Sequence, residues 1–248
     1  MSDALPPLPG AVGVTDLRVY DWPAHDGLVG GGPHVHLCCT EAYCVIEGAG
    51  SVQTLAPDGV MRDIKLEPQK IVWFTPGVIH RLINSDGKLR ILVMMENAGL
   101  PEAGDFVLTF PRAVMSDPKQ YLDRASLAPS GHVYASNQEA ARNRRDLAVE
   151  GFLELQRDVE RRGAGAMVDF YDRASTLVQP LLKRWDEIWR HGAQRAADLA
   201  GQRIERLKEG KLEHLLEGSV HAMQQSGDDR KLGMCGTLGL YLPEGVAK

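Results

Sequence analysis

One stretch restricts the fold of this chain more than any other: Gly30 to Gly50, which reads GGGPHVHLCCTEAYCVIEGAG. It carries His34, His36 and Glu41, three side chains that bind divalent metals, and a fourth, His80, lies further on in FTPGVIHRLIN. In a β-strand, side chains two apart point to one face, so an extended conformation lets His34 and His36 reach the same ion. The strand must then turn before Glu41, so that the carboxylate returns on a neighbouring strand. Three or four nitrogen and oxygen ligands with positions to spare form the donor set of a catalytic metal site, not of a sealed structural one.

The flanking sequence reads as a β-rich body. From Val14, VTDLRVYDWP alternates apolar and polar residues, as a half-buried strand ended by Pro23 does. AHDGLVGGG is a loop, and beyond Thr40 the residues Glu41, Tyr43, Val45 and Glu47 share one strand face. SVQTLAP and MRDIKLEP form a predicted hairpin about Pro57-Asp58-Gly59. KIVWFTP is a further strand. After the Pro76-Gly77 turn, His80, Leu82 and Asn84 fall on one face, and Asp86-Gly87 turns the chain into LRILVMMEN. GDFVLTFP completes the set. Short strands at steady spacing, divided by Gly, Pro and Asp turns, predict an all-β sandwich or barrel of the jelly-roll kind.

The pattern changes after Pro111. SDPKQYLDRAS predicts a short helix with Pro118 in its first turn, and Pro129-Ser130-Gly131 separates it from the next helical segment. Leu147, Phe152, Leu155 and Val159 mark a helix that Gly163 and Gly165 end. Met167, Phe170, Tyr171, Ala174, Leu177, Val178, Leu181, Leu182, Trp185, Ile188 and Trp189 then form the stripe of an amphipathic helix, kinked or broken at Pro180. Arginines at 142, 144, 145, 157, 161 and 162 alternate with acidic residues and read as a salt-bridged, solvated face. The expected organisation is an irregular arm over 1–13, a β-barrel over 14–112 and an α-helical extension over 113–248, with a short strand at 237–242.

Two runs carry a family resemblance. His34-x-His36-x4-Glu41-x6-Gly48 resembles the first signature motif of the cupin superfamily, and Gly77-x2-His80-x3-Asn84 resembles the second. The resemblance covers residues 15 to 112 and implies a metal-binding cupin jelly roll. Three positions depart from the usual motifs: Leu28 and Gln69 stand where glycines are common, and Thr75 stands where a proline is common, with Pro76 one place late. None is a ligand position.

The resemblance implies one divalent ion per chain, manganese, iron, zinc or nickel, held by His34, His36, Glu41 and His80. It also implies an enzyme for a small molecule, sugar or sugar-phosphate isomerisation being the first expectation. An iron-dependent dioxygenase is the second, and a non-enzymatic binding or regulatory module the third. Tyr43, in phase with Glu41, His25 in the loop before the glycines and Glu47 at the strand end are candidate acid–base groups. Each also has a plainer reading, as core, surface and rim residue respectively. Arg81 suits an anionic group on a substrate, and Trp73 suits a pocket wall. Cys38 is a fifth ligand, a reactive thiol or a small buried hydrophobe.

Composition bounds the partners. A net charge of -5 offers no electrostatic case for nucleic acid or an anionic membrane. The N-terminal MSDALPPLPGAVG lacks the basic start and apolar run of a signal peptide, and the apolar run ILVMM is strand-sized. Cys38 and Cys39 are neighbours that point to opposite faces of a strand, which fits a reduced compartment. The expectation is a cytoplasmic protein, homodimeric because the extension offers more apolar surface than one barrel face needs.

Overall fold

The computed structural model describes residues 7–127 and 137–243. The Pro129-Ser130-Gly131 break and the first six residues of the arm lie outside the described residues. The first nine strands come in chain order: β1 Gly13–Val19, β2 His34–Val35, β3 Glu41–Glu47, β4 Gly50–Leu55, β5 Met61–Leu66, β6 Ile71–Phe74, β7 Ile79–Asn84, β8 Arg90–Met95 and β9 Val107–Leu108. Three more come at the far end of the chain, β10 Met223–Gln225, β11 Lys231–Leu232 and β12 Gly236–Pro243. They build two antiparallel sheets. One runs β5-β4-β7-β2-β9; the other runs β10-β12-β1-β8-β3-β6, with β11 beside β12.

The period of two decides which side chains fill the space between the sheets. On β3, Glu41, Tyr43 and Val45 are buried while Ala42 and Cys44 are half exposed. On β8, Ile91, Val93 and Met95 point in and Leu92 and Met94 point out. Val35, Val52, Leu55, Ile79, Leu82 and Ile91 are fully buried between the sheets, each contributing about 2 kcal/mol of apolar burial. This is a cupin-like jelly roll, the fold the motifs imply.

Gln69 sits at φ 74°, in the left-handed region, at the turn where the motif more often has glycine. A Cβ there costs about 1 kcal/mol. Gln69→Gly is therefore expected to raise stability by roughly 0.5 to 1 kcal/mol, read as a higher urea midpoint.

Among the described residues, seven α-helices lie between β9 and β10: α1 Arg112–Met115, α2 Pro118–Ala125, α3 Gln138–Arg162, α4 Gly165–Val178, α5 Leu182–Trp189, α6 Arg195–Lys208 and α7 Glu213–Leu216. The Asp117 side chain accepts the Gln120 N–H at the start of α2, and Asn137 accepts the Ala140 N–H at the start of α3. These are ordinary N-caps. Gly163, at φ 61°, ends α3. Pro180 removes a backbone donor, and Gln179–Leu181 tightens to a 3₁₀ turn between α4 and α5. Met167, Phe170, Ala174, Val178 and Trp185 join the barrel core.

The structure corrects two expectations here. Arg144 and Arg145 do not belong to a solvated face: both are buried. Arg144 donates to the carbonyls of Ala125 and Gly233, and Arg145 to those of Trp22, Pro23 and Gly30. Interleaved charge marks an exposed face only where nothing packs on it, and here α3 lies against the loops around β2. The second correction concerns residues 223–243. They are not part of a helical extension but return to the β1 sheet, with Leu17 opposite Leu238 in the β1–β12 pairing.

Asp16 ties that returning segment down. Its carboxylate accepts from Arg90 of β8 and from Arg230 just before β11, at 2.6 and 2.8 Å. Burial pushes its pKa up, but the hydrogen bonds and charges of the two arginines outweigh burial and hold it below the usual carboxylate value. A lowered folded-state pKa adds stability that is present above the unfolded value and lost as the pH falls through the folded one. Below about pH 4 the wild type is expected to lose this increment. Asp16→Asn should cost about 2 kcal/mol at pH 7 and flatten that part of the acid limb in urea titrations.

Candidate metal centre

His34, His36, Glu41 and His80 converge between the two sheets. One donor atom from each lies within 4.8 Å of every other, and all four residues are buried. Their positions come from the strands. His34 lies on β2 directly opposite His80 on β7, paired in register. His36 comes just after β2 with the same facing as His34. The chain then crosses to the other sheet and enters β3 at Glu41, as the spacing predicts.

The histidines are oriented by their second nitrogens. Nδ1 of His34 faces the Gly32 carbonyl at 3.0 Å, Nδ1 of His80 faces the Val78 carbonyl at 3.0 Å, and Nδ1 of His36 donates to the Asp105 carbonyl. Each carbonyl only accepts, so it assigns the proton to Nδ1 and leaves Nε2 pointing inward. Nε2 of His34 and Nε2 of His80 stand 3.2 Å apart. Oε2 of Glu41 is 2.9 Å from Nε2 of His80 and 3.4 Å from Nε2 of His36. Yet this buried oxygen has no hydrogen-bond donor among the described residues. Lone pairs gathered this closely call for a cation among them.

The titration behaviour has the same cause. Burial and the neighbouring His80 and His36 hold His34 well below its ordinary pKa. Burial alone would lower His36 too, but hydrogen bonds and charges from Asp105 and Glu41 overcome it and push His36 up to about 10. Burial would raise Glu41, and the neighbouring imidazoles of His80 and His36 lower it instead. With three imidazoles and a carboxylate as donors, the residues fit a divalent transition metal.

A cavity of about 80 Å³ opens over His34, His36 and Glu41, walled by Leu17, Tyr43, Val93, Met95, Met234 and Leu238, with Thr15, Pro101, Glu102 and Cys235 completing it. Tyr43 lies where its phase with Glu41 puts it. Burial and the Glu41 carboxylate raise its pKa well above the ordinary phenol value, so it stays protonated.

The remaining candidates lie elsewhere. Trp73 is 67% exposed on the outer face of β6. Alternation turns Phe74 inward in its place, stacked on His80 at 4.3 Å. Arg81, next to His80, necessarily faces the other way, where it is buried and paired with Asp26 at 2.6 Å. Cys38 is exposed, because β2 has already ended at Val35. The register shift between Val45 and Glu47 breaks the phase of β3, and Glu47 projects into solvent opposite Arg90. His25 lines a different cavity with Asp123, Asn143 and Glu150.

Sequence reasoning passed over Met234, Cys235, Leu238 and Glu102. Cys235 Sγ is 3.8 Å from Nδ1 of His34 although the two are 201 positions apart. Burial pushes its thiol far up, which keeps it neutral. Alternation within LGMCGTLGLYL was the only available signal, and it does not name the partner strand.

No protein-family model matches the sequence, and none of the curated proteins does. Solved structures match part of the chain. The capsular polysaccharide assembling protein CapF from Staphylococcus aureus is 18% identical, with TM-score 0.30, over 38% of this chain and 25% of its own. The sugar 3,4-ketoisomerase QdtA from Thermoanaerobacterium thermosaccharolyticum, in complex with TDP, is 13% identical, with TM-score 0.29, over 38% and 87%. WlaRA, a TDP-fucose-3,4-ketoisomerase from Campylobacter jejuni, is 14% identical, with TM-score 0.27, over 34% and 57%. The chain thus spans less than two thirds of the length of CapF and WlaRA. Strand order gives this chain a cupin-like jelly-roll fold in which four donors converge, with its helices lying between the ninth and tenth strands.

Proposed function

We propose that the chain is a metal-dependent cupin enzyme that acts on a small, largely apolar molecule together with dioxygen. The wall of the cavity carries this reading. Among the described residues that line it, and apart from the metal ligands, the one charged side chain is Glu102; the wall offers no cation and few hydrogen-bond donors. A sugar phosphate needs both, and Arg81 is committed to Asp26. At about 80 Å³ the cavity is also well below the usual size of a ligand pocket.

A redox-active ion bound here would supply Lewis acidity and an electron path to oxygen. The three imidazoles and Glu41 would hold and orient it. Leu17, Val93, Met95, Met234 and Leu238 exclude water, and the Tyr43 hydroxyl stays protonated as a donor beside the ligands. Sugar isomerisation keeps one observation in its favour: Glu102, at the rim, is a carboxylate in position to take a proton.

The test is a panel of small enols, diketones, phenols and aldoses, run with iron-loaded and manganese-loaded protein. Substrate-dependent oxygen uptake that needs His36 is the expected result. Aldose–ketose conversion without oxygen uptake would replace this reading with the isomerase. Tight binding with no turnover, and no effect of His36→Ala on it, would leave a binding module.

Assembly as a homodimer is part of the same reading. On the outer face of the β6 edge, Trp73, Ala42 and Met94 form one row and Ile71, Cys44 and Leu92 a second. The solvent face of an antiparallel sheet is ordinarily polar, so a second copy on this face accounts for the pattern. A dimeric mass by light scattering is expected, and a monomer at micromolar concentration would remove the idea.

A further inference from the structure

We infer that Asp105 is the positioning residue of the metal centre, acting through the turn that joins the two sheets. This rests on the reading of the four residues as a metal site. Asp105 lies in the loop between β8 and β9 and is fully buried. Its Oδ1 accepts the N–H groups of Leu37 and Cys38 at 3.0 and 2.9 Å, and its Oδ2 accepts that of Cys39 at 2.8 Å. Its backbone carbonyl meanwhile accepts Nδ1 of His36.

Two functions are thereby joined in one residue. The carbonyl selects the His36 tautomer that leaves Nε2 free for an ion. The carboxylate gathers three successive amides of the segment between His36 and Glu41. That segment carries the chain from one sheet to the other, so its shape sets the separation of Nε2 of His36 from Oε2 of Glu41, now 3.4 Å. Three backbone donors on one carboxylate are a strong restraint, because charge-assisted hydrogen bonds are about twice as strong as neutral ones.

A purely structural residue would look different. A helix or strand cap would satisfy the ends of its own element. Asp105 instead directs its carboxylate to residues 37–39 and its carbonyl to a ligand. The prediction is specific: loosening this clamp alters ion affinity and ligand geometry ahead of fold stability.

The experiment titrates full-length, metal-free protein with Co²⁺ against a chromophoric chelator and records the visible spectrum of the bound cobalt. Asp105→Asn keeps the carbonyl and one side-chain acceptor and removes the charge. Its Co²⁺ affinity is expected to fall ten- to a hundredfold, with a changed cobalt spectrum. Phe152→Ala, a core truncation on α3, should lower Tm but leave affinity and spectrum as in the wild type. An Asp105→Asn protein that matches the wild type in both, whatever its Tm, overturns the inference.

If Asp105→Asn does not fold, hydrogen exchange in the cobalt-loaded wild type decides. Protected amides at Leu37, Cys38 and Cys39 support the clamp, and fast exchange there refutes it. A wild type that binds no Co²⁺ would instead sink the metal-site reading itself, an outcome distinct from the failure of the Asp105 role.

Discussion

His80→Ala is expected to leave the protein without a bound divalent ion, where the wild type carries close to one per chain. His80 is 0% exposed, and its Nε2 stands between Nε2 of His34 at 3.2 Å and Oε2 of Glu41 at 2.9 Å. It is the donor that closes the cluster. Removing the hydrogen-bond partner of a ligand costs about ten- to a hundredfold in affinity, so removing the ligand costs more than about a hundredfold on the same scale. Elemental mass spectrometry of both proteins measures it directly.

Stability supplies a second readout. An ion that binds only the folded state adds about 2.7 kcal/mol at a hundred times its Kd, so Tm of the wild type rises with added metal. That rise should vanish in His80→Ala. Equal metal content in the two proteins, or no rise in the wild type, would mean that the four side chains do not hold an ion.

Gly151→Ala is expected to destabilise the fold by about 4 kcal/mol, the reverse of what its setting in the middle of α3 would suggest. In an exposed helix interior, alanine is favoured over glycine by about 1 kcal/mol. Here the added Cβ would meet the Thr109 carbonyl oxygen and the Phe110 carbonyl carbon, both at 2.2 Å. These are backbone atoms just past β9, and they cannot rotate away. Relief requires α3 to lift from the barrel, exposing its neighbours Ala148 and Phe152, both in the core. A urea midpoint at or above that of the wild type would show that α3 does not cross the barrel this closely.

The four converging side chains were legible because three of them share one short stretch and the second motif supplies His80. Two histidines two apart, a turn and a carboxylate specify a convergent set as soon as the stretch is extended, and the extended state is dictated by the alternation around it. The same rule, applied strictly, also separates the errors. His80 and Arg81 are adjacent on β7 and cannot both enter the barrel. Trp73 and Phe74 on β6 pose the same choice, and burial gives the inward place to Phe74. A slip of one residue moves a side chain to the other face of a sheet.

The C-terminal part was less legible. Helix positions, the kink at Pro180 and the stop at Gly163 are visible as periodicity and backbone restriction, both properties of neighbouring residues. The direction in which α3 turns its arginines is not. Arg144 and Arg145 are indistinguishable in sequence from the exposed Arg161 and Arg162, and only the loops packed on α3 separate the two pairs.

By itself, then, the sequence determined the strands, the turns, the helices and the four donors that meet between the sheets. Tertiary structure alone decided what surrounds those donors. Met234, Cys235 and Leu238 reach the cavity because β12 pairs with β1 across most of the chain. Asp105 reaches the turn at residues 37–39 because the loop after β8 folds back over it. Alternation tells a strand which face to bury. It does not tell the strand which partner to pair with, since backbone hydrogen bonds are the same for every residue and pairing is chosen by the collective packing of the core.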